Sequence, residues 1–310
     1  MRKFDSKKYG QQKENAIKSF PVPNILEEIK EDITINTNNL SQLSKEQIIN
    51  QAIQFHKKGN IKKAAKYYEI CITQGIQNSN VFSNYGAILK GLGKLKEAEL
   101  LTRKAIKLSP DSEDAYSNLG IILKDLGKLE EAEHSYRKAI ELNHNFAIAH
   151  SNLGNILKDL GNLQEAQLSL KKAIKLNPDF ADAYSNLGII LKDLGKLQEA
   201  ELSTRKAIEL NPEFKDAYSN LSIILKDLGK LEEAELAICK VIELSPDCVE
   251  AMNILGMILI QKGEYTLSLK YFSESAELLR GKKNQDFNNN RFTKTSKAKI
   301  EHDIEQFEYL

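Results

Sequence analysis

One stretch of sequence recurs every 34 residues through most of this 310-residue chain. The segment AYSNLGIILKDLGKL occurs at 115–129 and again, without a change, at 183–197, and a third copy at 217–231 differs only at Ser222. Six asparagines mark the register at intervals of 34 positions: Asn50, Asn84, Asn118, Asn152, Asn186 and Asn220. A fixed period of this length indicates a stack of equivalent supersecondary units instead of one compact core.

Each unit contains two segments with helical periodicity. In the unit that begins at Glu113, apolar and small residues recur at helical spacing until Gly127 interrupts the pattern. A second helical pattern follows, with Ala132, Tyr136 and Ala139 on its apolar face. Two short helices have two apolar faces and only one partner, so the second face must be covered by the next unit. The sequence therefore predicts an all-α solenoid of antiparallel helix pairs.

The register divides the chain into three regions. We expect seven helix pairs at 45–282, with units that begin at 45, 79, 113, 147, 181, 215 and 249. Ser44 and Gln47 have the spacing of a capping box and predict the start of the first helix. Residues 1–43 are polar and contain two prolines, which predicts a flexible arm.

The C-terminal region, 283–310, begins as a polar linker and ends in a helical pattern. Its apolar residues, which fall at helical spacing, are Ile300, Ile304, Phe307 and Leu310. Two interpretations are open. The pattern is either a capping helix for the last unit or a linker helix that leads to a further domain.

Small residues recur at one phase of each helix and predict a close approach of the two helices. A glycine inside a helix costs about 1 kcal/mol relative to alanine, so its recurrence implies that a larger side chain would clash. The first-helix positions are Gly86, Gly120, Gly154, Gly188 and Gly256, and the second-helix positions are Ala64, Ala98, Ala132, Ala166, Ala200 and Ala234.

Charge and hydropathy exclude several classes of partner. The chain has 44 basic and 43 acidic residues, and nucleic-acid binding usually needs a basic surplus on one face. It contains no apolar run long enough to cross a bilayer, and its basic N-terminus lacks the apolar core of a signal peptide. We therefore expect a cytoplasmic protein that binds neither nucleic acid nor membrane.

No constellation of residues points to catalysis, a metal or a cofactor. Cys71, Cys239 and Cys248 lack metal-ligand spacing, and we interpret them as ordinary thiols of a reducing compartment. The histidines are scattered, and no metalloprotease helix motif or phosphate-binding glycine loop occurs. We expect no enzymatic activity of the chain itself.

The repeated unit resembles the tetratricopeptide repeat. The resemblance covers about three quarters of the chain, and it implies a right-handed superhelix of helix pairs whose first helices line the concave side. The first and last units depart from the pattern, as end units of a repeat array do. In the third unit the resemblance rests on Tyr116, Leu119, Gly120, Leu123, Ala132, Tyr136 and Ala139.

Once the packing positions are removed, the first helix keeps a polar stripe, which in the third unit comprises Asp114, Asn118, Ile121 and Asp125. Residues spaced by three or four share one helix face. An amide carries both a donor and an acceptor, so a ladder of asparagines is able to hold the backbone of an extended peptide. Similar ladders hold peptide backbones in the repeat domain of O-linked N-acetylglucosamine transferases. The alternative is that these are merely solvated residues of the repeat.

Two further rows accompany the six asparagines as candidate peptide-binding residues: an acidic row of Asp125, Asp159, Asp193 and Asp227, and an apolar row of Ile121, Ile189 and Ile223. They predict a preference for peptides that carry Lys or Arg beside apolar residues. The neighbouring lysines, which would weaken that preference if they paired with the acids, are interpreted as solvated: Lys124, Lys158, Lys192 and Lys226.

We expect a non-catalytic scaffold that binds an extended segment of another protein along the concave face. A second hypothesis is a substrate-recognition module of a transferase or oxygenase whose catalytic domain is absent from this chain. Self-association through the near-identical units is a third. A clamp for an acidic C-terminus ranks low, because it needs basic residues beside the asparagines and acids stand there.

Overall fold

The computed structural model of the chain describes residues 44–285, which consist of helices and the loops between them. The arm predicted at 1–43 lies outside the described residues, as do Ile300, Ile304, Phe307 and Leu310 of the predicted C-terminal helix. Residues 283–285 belong to the last described helix.

Fourteen helices within residues 44–285 form seven consecutive pairs. The first helices of the pairs begin at 45, 79, 113, 147, 181, 215 and 249, where the sequence units begin. The predicted all-α fold of helix pairs is confirmed. In chain order the helices are α1 Lys45–Lys57, α2 Ile61–Thr73, α3 Ser79–Gly91, α4 Leu95–Leu108, α5 Glu113–Asp125, α6 Leu129–Leu142, α7 Ala147–Asp159, α8 Leu163–Leu176, α9 Ala181–Asp193, α10 Leu197–Leu210, α11 Lys215–Asp227, α12 Leu231–Leu244, α13 Val249–Lys262 and α14 Tyr265–Gln285.

The helix contacts divide the chain into two compact units, 1–176 with α1–α8 and 177–310 with α9–α14. In each unit a helix packs against the next helix along the chain. The first helices of successive pairs also contact each other, as α3, α5 and α7 do in one unit and α9, α11 and α13 in the other. The second helices do not approach one another to this extent. The first helices therefore form the narrower side of each unit.

Local signals in the sequence set the helix ends. Ser44 and Gln47 form the predicted capping box: the Ser44 hydroxyl accepts from the Gln47 N–H, and the Gln47 side chain accepts from the Ser44 N–H. Each first helix ends shortly before a glycine with positive φ, such as Gly127 at 74°. Because only glycine adopts this conformation without a steric cost, the chain turns there into the second helix of the pair.

The small residues lie where the two helices of a pair meet, as predicted. A Cβ built on Gly120 would lie 2.7 Å from the ring of Tyr136, which is 1% exposed. The second-helix alanines, such as Ala132 and Ala200, are completely buried. Glycine at this position of the first helix therefore leaves room for the side chain that faces it from the second helix.

The N-terminal pair contains a buried histidine at a position where the next five repeats carry lysine. His56 is 6% exposed, and its Nδ1 lies 3.4 Å from the Tyr68 hydroxyl on α2. The two rings also meet edge to face. Burial lowers the pKa of His56 below its ordinary value of 6.5, because it removes hydration from the cationic form.

The first prediction concerns acid stability of this pair. Below pH 6.5 the unfolded chain takes up a proton at His56 that the folded chain resists, so acidification lowers the free energy of unfolding by up to about 1.4 kcal/mol per pH unit. We expect His56→Gln to be less sensitive than the wild type between neutral pH and pH about 5.5, as measured by hydrogen exchange in α1 and α2. The exposed His134 supplies the control, His134→Gln. Equal pH sensitivity of wild type and His56→Gln would contradict the assignment.

Candidate functional site

The predicted ladder residues lie on the first helices, and two of them are tied to the preceding pair. The Nδ2 of Asn118 on α5 donates to the hydroxyl of Ser83 on α3 at 3.1 Å. In the other unit, the Nδ2 of Asn220 on α11 donates to the hydroxyl of Ser185 on α9 at 3.0 Å. These bonds fix the orientation of both half-buried amides. The Oδ1 of each has no hydrogen-bond partner among residues 44–285.

Sequence reasoning missed the serines that orient these amides. A signal was present, because a serine directly precedes five of the six asparagines: Ser83, Ser117, Ser151, Ser185 and Ser219. On a single helix, adjacent residues point in different directions. The bond arises because the serine of one first helix faces the asparagine of the next, a relation that becomes visible only when the helices are stacked.

The other four asparagines differ in burial. Asn50 is exposed, whereas Asn152 and Asn186 are half-buried, and none of these three makes a side-chain hydrogen bond within the described residues. Asn84 is 8% exposed, and its completely buried Nδ2 has no hydrogen-bond partner in that part of the chain. On the preceding first helix, α1, Ile49 stands where Ser83 stands relative to Asn118, so no serine is available to Asn84.

A polar pocket lies between the N-terminal halves of α3 and α5 and brings two ladder residues together. Within it, the Asp114 carboxylate is half-buried, and burial followed by the neighbouring charge of Glu113 raises its pKa. No ion-pair partner of Asp114 occurs among the described residues. The pocket is lined by Ser79, Asn80, Ser83, Asn84, Ser112, Asp114, Ala115 and Asn118.

The predicted acidic row is exposed, but lysines counter its charge. Lys90 on α3 lies 3.3 Å from Asp125 on the next first helix, and Lys124 lies 4.0 Å from Asp159 in the same way. The four lysines interpreted as solvated thus lie at the surface within ion-pair distance of the acidic row. They reach along the stack or back to the adjacent acid, as in the pairs Lys158–Asp159, Lys192–Asp193 and Lys226–Asp227.

The predicted apolar row is present as three half-buried side chains on α5, α9 and α11, namely Ile121, Ile189 and Ile223. They are neither core residues nor fully solvated, so part of each side chain remains open to contact. The apolar row and the asparagines thus share the face formed by the first helices of each unit.

The second helices carry a different surface. Arg103 donates to Glu131 of the next second helix at 2.7 Å, and Arg137 donates to Glu165 at 2.6 Å. Between these ion pairs stand exposed leucines, which are Leu100 and Leu168 in one unit and Leu202 and Leu236 in the other. Ion pairs thus join neighbouring second helices on this surface.

Within residues 44–285 no three His, Cys, Asp or Glu side chains are placed to hold a metal ion. None of the helices described there has the length and hydropathy needed to cross a bilayer. The polar groups on the first helices are amides, hydroxyls, carboxylates and the ammonium groups that pair with some of those carboxylates.

Comparison with protein families gives four matching models of one repeat family, described as tetratricopeptide or TPR repeat. The comparison with curated proteins gives no match. The matched segments are 79–112 and 249–278 in one model, 113–146 and 181–214 in a second, 135–168 and 204–236 in a third, and 154–195 in the fourth.

Solved structures share the fold at low sequence identity. A chain of the APC/C hetero-tetramer Cut9–Hcn1 is 16% identical with a TM-score of 0.66, and the match covers 77% of this chain and 47% of that one. The present chain thus spans about half the length of that relative. A tetratricopeptide repeat protein from Parabacteroides merdae is 20% identical, with a TM-score of 0.64 and coverages of 83% and 98%. For pilF of Pseudomonas aeruginosa the values are 19%, 0.58, 66% and 92%.

Proposed function

Because this chain is built from tandem tetratricopeptide repeats, we propose that it is a non-catalytic scaffold which holds an extended segment of a partner protein. The segment lies along the face formed by the first helices of a unit. Repeat arrays of this type present long regular surfaces to other proteins. The observation that carries the proposal is the set of asparagine amides on that face, two of them held by serine hydroxyls with Oδ1 left without a partner.

The hydrogen bond to serine orients the amide oxygen as an acceptor before a partner binds. When Nδ2 of Asn118 is committed to Ser83, the side chain no longer rotates freely, and its Oδ1 offers one fixed acceptor. A backbone N–H of a bound segment supplies the missing donor. Because less side-chain freedom is lost on binding, a fixed acceptor contributes more affinity than a mobile one.

The distance between packed helices is close to a small whole number of residues of an extended chain. Packed helices lie about 8–10 Å apart, and an extended chain advances about 3.3–3.6 Å per residue. One asparagine therefore meets about every third residue of a bound strand. The half-buried isoleucines provide apolar contacts between these points. Since lysines counter the acidic row, the peptide backbone and apolar side chains dominate recognition there.

The second prediction tests the ladder in the unit 1–176. Peptides selected from a random displayed library on the full chain are expected to bind Asn118→Ala/Asn152→Ala about five- to tenfold more weakly than the wild type. The size follows from two hydrogen bonds, each at the lower end of about 0.5–1.5 kcal/mol because exposed amides also bind water. Fluorescence anisotropy of the labelled peptides gives the affinities.

The matched control is Arg137→Ala, which removes an ion pair from the second-helix surface and is expected to leave affinity unchanged. Circular dichroism establishes that each variant retains its helix content. Affinities within twofold of the wild type for the double alanine variant would refute the ladder. Weakening by Arg137→Ala instead would move the binding surface to the second helices.

A further inference from the structure

We propose that the polar pocket between α3 and α5 is the subsite for one basic side chain, lysine or arginine, of the bound segment. The assignment rests on the proposed peptide-binding function and makes it more specific. The cationic group pairs with the carboxylate of Asp114, and the amide of Asn84 binds the backbone of the same residue or of its neighbour.

Asp114 is a carboxylate that lacks a cation. It is half-buried, its pKa is raised by burial and then by Glu113, and no Lys or Arg among the described residues pairs with it. A desolvated anion without a partner is unfavourable in the free protein. A basic side chain that enters the pocket removes that cost and gains a charge-assisted hydrogen bond. The pocket therefore favours lysine or arginine over an apolar residue.

Asn84 is the second, independent indication of a ligand. Its side chain forms part of the pocket wall, and its Nδ2 is buried without a hydrogen-bond partner. Ile49 stands at the position of the orienting serine. The Asn84 amide interacts with the Tyr68 side chain and lowers the pKa of Tyr68 against the larger effect of burial, but the contact does not reach hydrogen-bond geometry. In the proposed complex, the amide turns from Tyr68 toward the pocket. There a peptide carbonyl gives Nδ2 the acceptor that it lacks.

The subsite occurs once in the unit 1–176. At the position of Asp114, the neighbouring repeats carry Asn80 and Ile148, neither of which is acidic. The first repeat carries Glu46, which is exposed on α1 and has no earlier first helix among residues 44–285 to form a pocket with it. The exposed row, by contrast, has its charge countered, because Asp125 lies 3.3 Å from Lys90. We therefore assign the preference for a basic peptide residue to Asp114 and not to the exposed acidic row.

The test begins with peptides selected on the full chain from the random library. Those peptides are expected to share one Lys or Arg at a fixed position. Replacing that residue by norleucine is expected to weaken binding to the wild type about fivefold or more, and binding to Asp114→Asn by less than about twofold. Asp182→Asn, an exposed acid at the same repeat position in the other unit, serves as the matched control and is expected to behave as the wild type.

A second variant separates binding from folding. Asn84→Ala removes a buried donor that has no partner, so we expect its melting temperature to equal or exceed that of the wild type while the selected peptides bind more weakly. A purely structural role for Asn84 would produce the opposite result, a lower melting temperature with affinity unchanged.

The outcomes distinguish the two proposals. Selected peptides that share no basic residue, or a basic preference that survives in Asp114→Asn, overturn the subsite while the peptide-binding surface stands. If selection on the wild type enriches no peptide at all, the proposed function is overturned and the subsite with it.

Discussion

Alanine in place of Tyr136 is expected to lower the free energy of unfolding by about 3–5 kcal/mol, the range for removal of a buried aromatic side chain. The Tyr136 side chain is 1% exposed and its ring faces Gly120. No Cβ on Gly120 is present to fill the space that the ring would leave, so the cavity remains open. Urea unfolding followed by far-ultraviolet circular dichroism gives the free energy.

The repeat supplies its own control for this prediction. Thr204 occupies the position of Tyr136 in a later repeat and is equally buried, but its side chain is smaller. Thr204→Ala removes few atoms and one hydroxyl, which is bonded to the carbonyl oxygen of Ala200 at 2.9 Å. We expect a loss of about 1 kcal/mol. Losses of equal size at Tyr136 and Thr204 would show that ring packing against Gly120 does not determine stability.

Repetition explains why the fold was predictable from the sequence. A packing rule read from one unit is tested again in every copy, as with the glycine that recurs at Gly120 and Gly188 and the alanine at Ala132 and Ala200. The helix starts follow from the same register, and the capping box at Ser44 follows from local hydrogen bonding alone. Each of these features depends on one helix or on one helix pair.

The candidate site was less predictable, because it depends on contacts between consecutive pairs. The bond from Asn118 to Ser83 and the ion pair from Lys90 to Asp125 each join residues 35 positions apart. Helical periodicity places such residues on a face but does not say which atoms meet across two helices. The burial of Asn84, at 8% exposure against half-buried or exposed amides at the other five positions, was likewise not visible in the repeat pattern.

The recurring glycines allow two explanations to be distinguished: a packing requirement, or a consensus residue without a structural role. If Gly188 were a mere consensus residue, any good helix former would raise stability there by about 1 kcal/mol. In the structure, a Cβ on Gly188 would meet the Oγ1 of Thr204 and would lie 3.3 Å from the carbonyl oxygen of Ala200. Backbone atoms have little freedom to retreat, so a larger residue has to push the two helices apart.

Gly188→Leu is therefore expected to lower the free energy of unfolding by about 1–3 kcal/mol despite its better helix propensity. Thermal melting followed by circular dichroism measures the effect. Ser222 occupies the same position in a later unit and is completely buried, so this site already holds a Cβ. Ser222→Ala is the matched control, with an expected change below about 1 kcal/mol because only the bond from its hydroxyl to the Ser219 carbonyl is lost. A melting temperature of Gly188→Leu at or above that of the wild type would refute the close approach of α9 and α10.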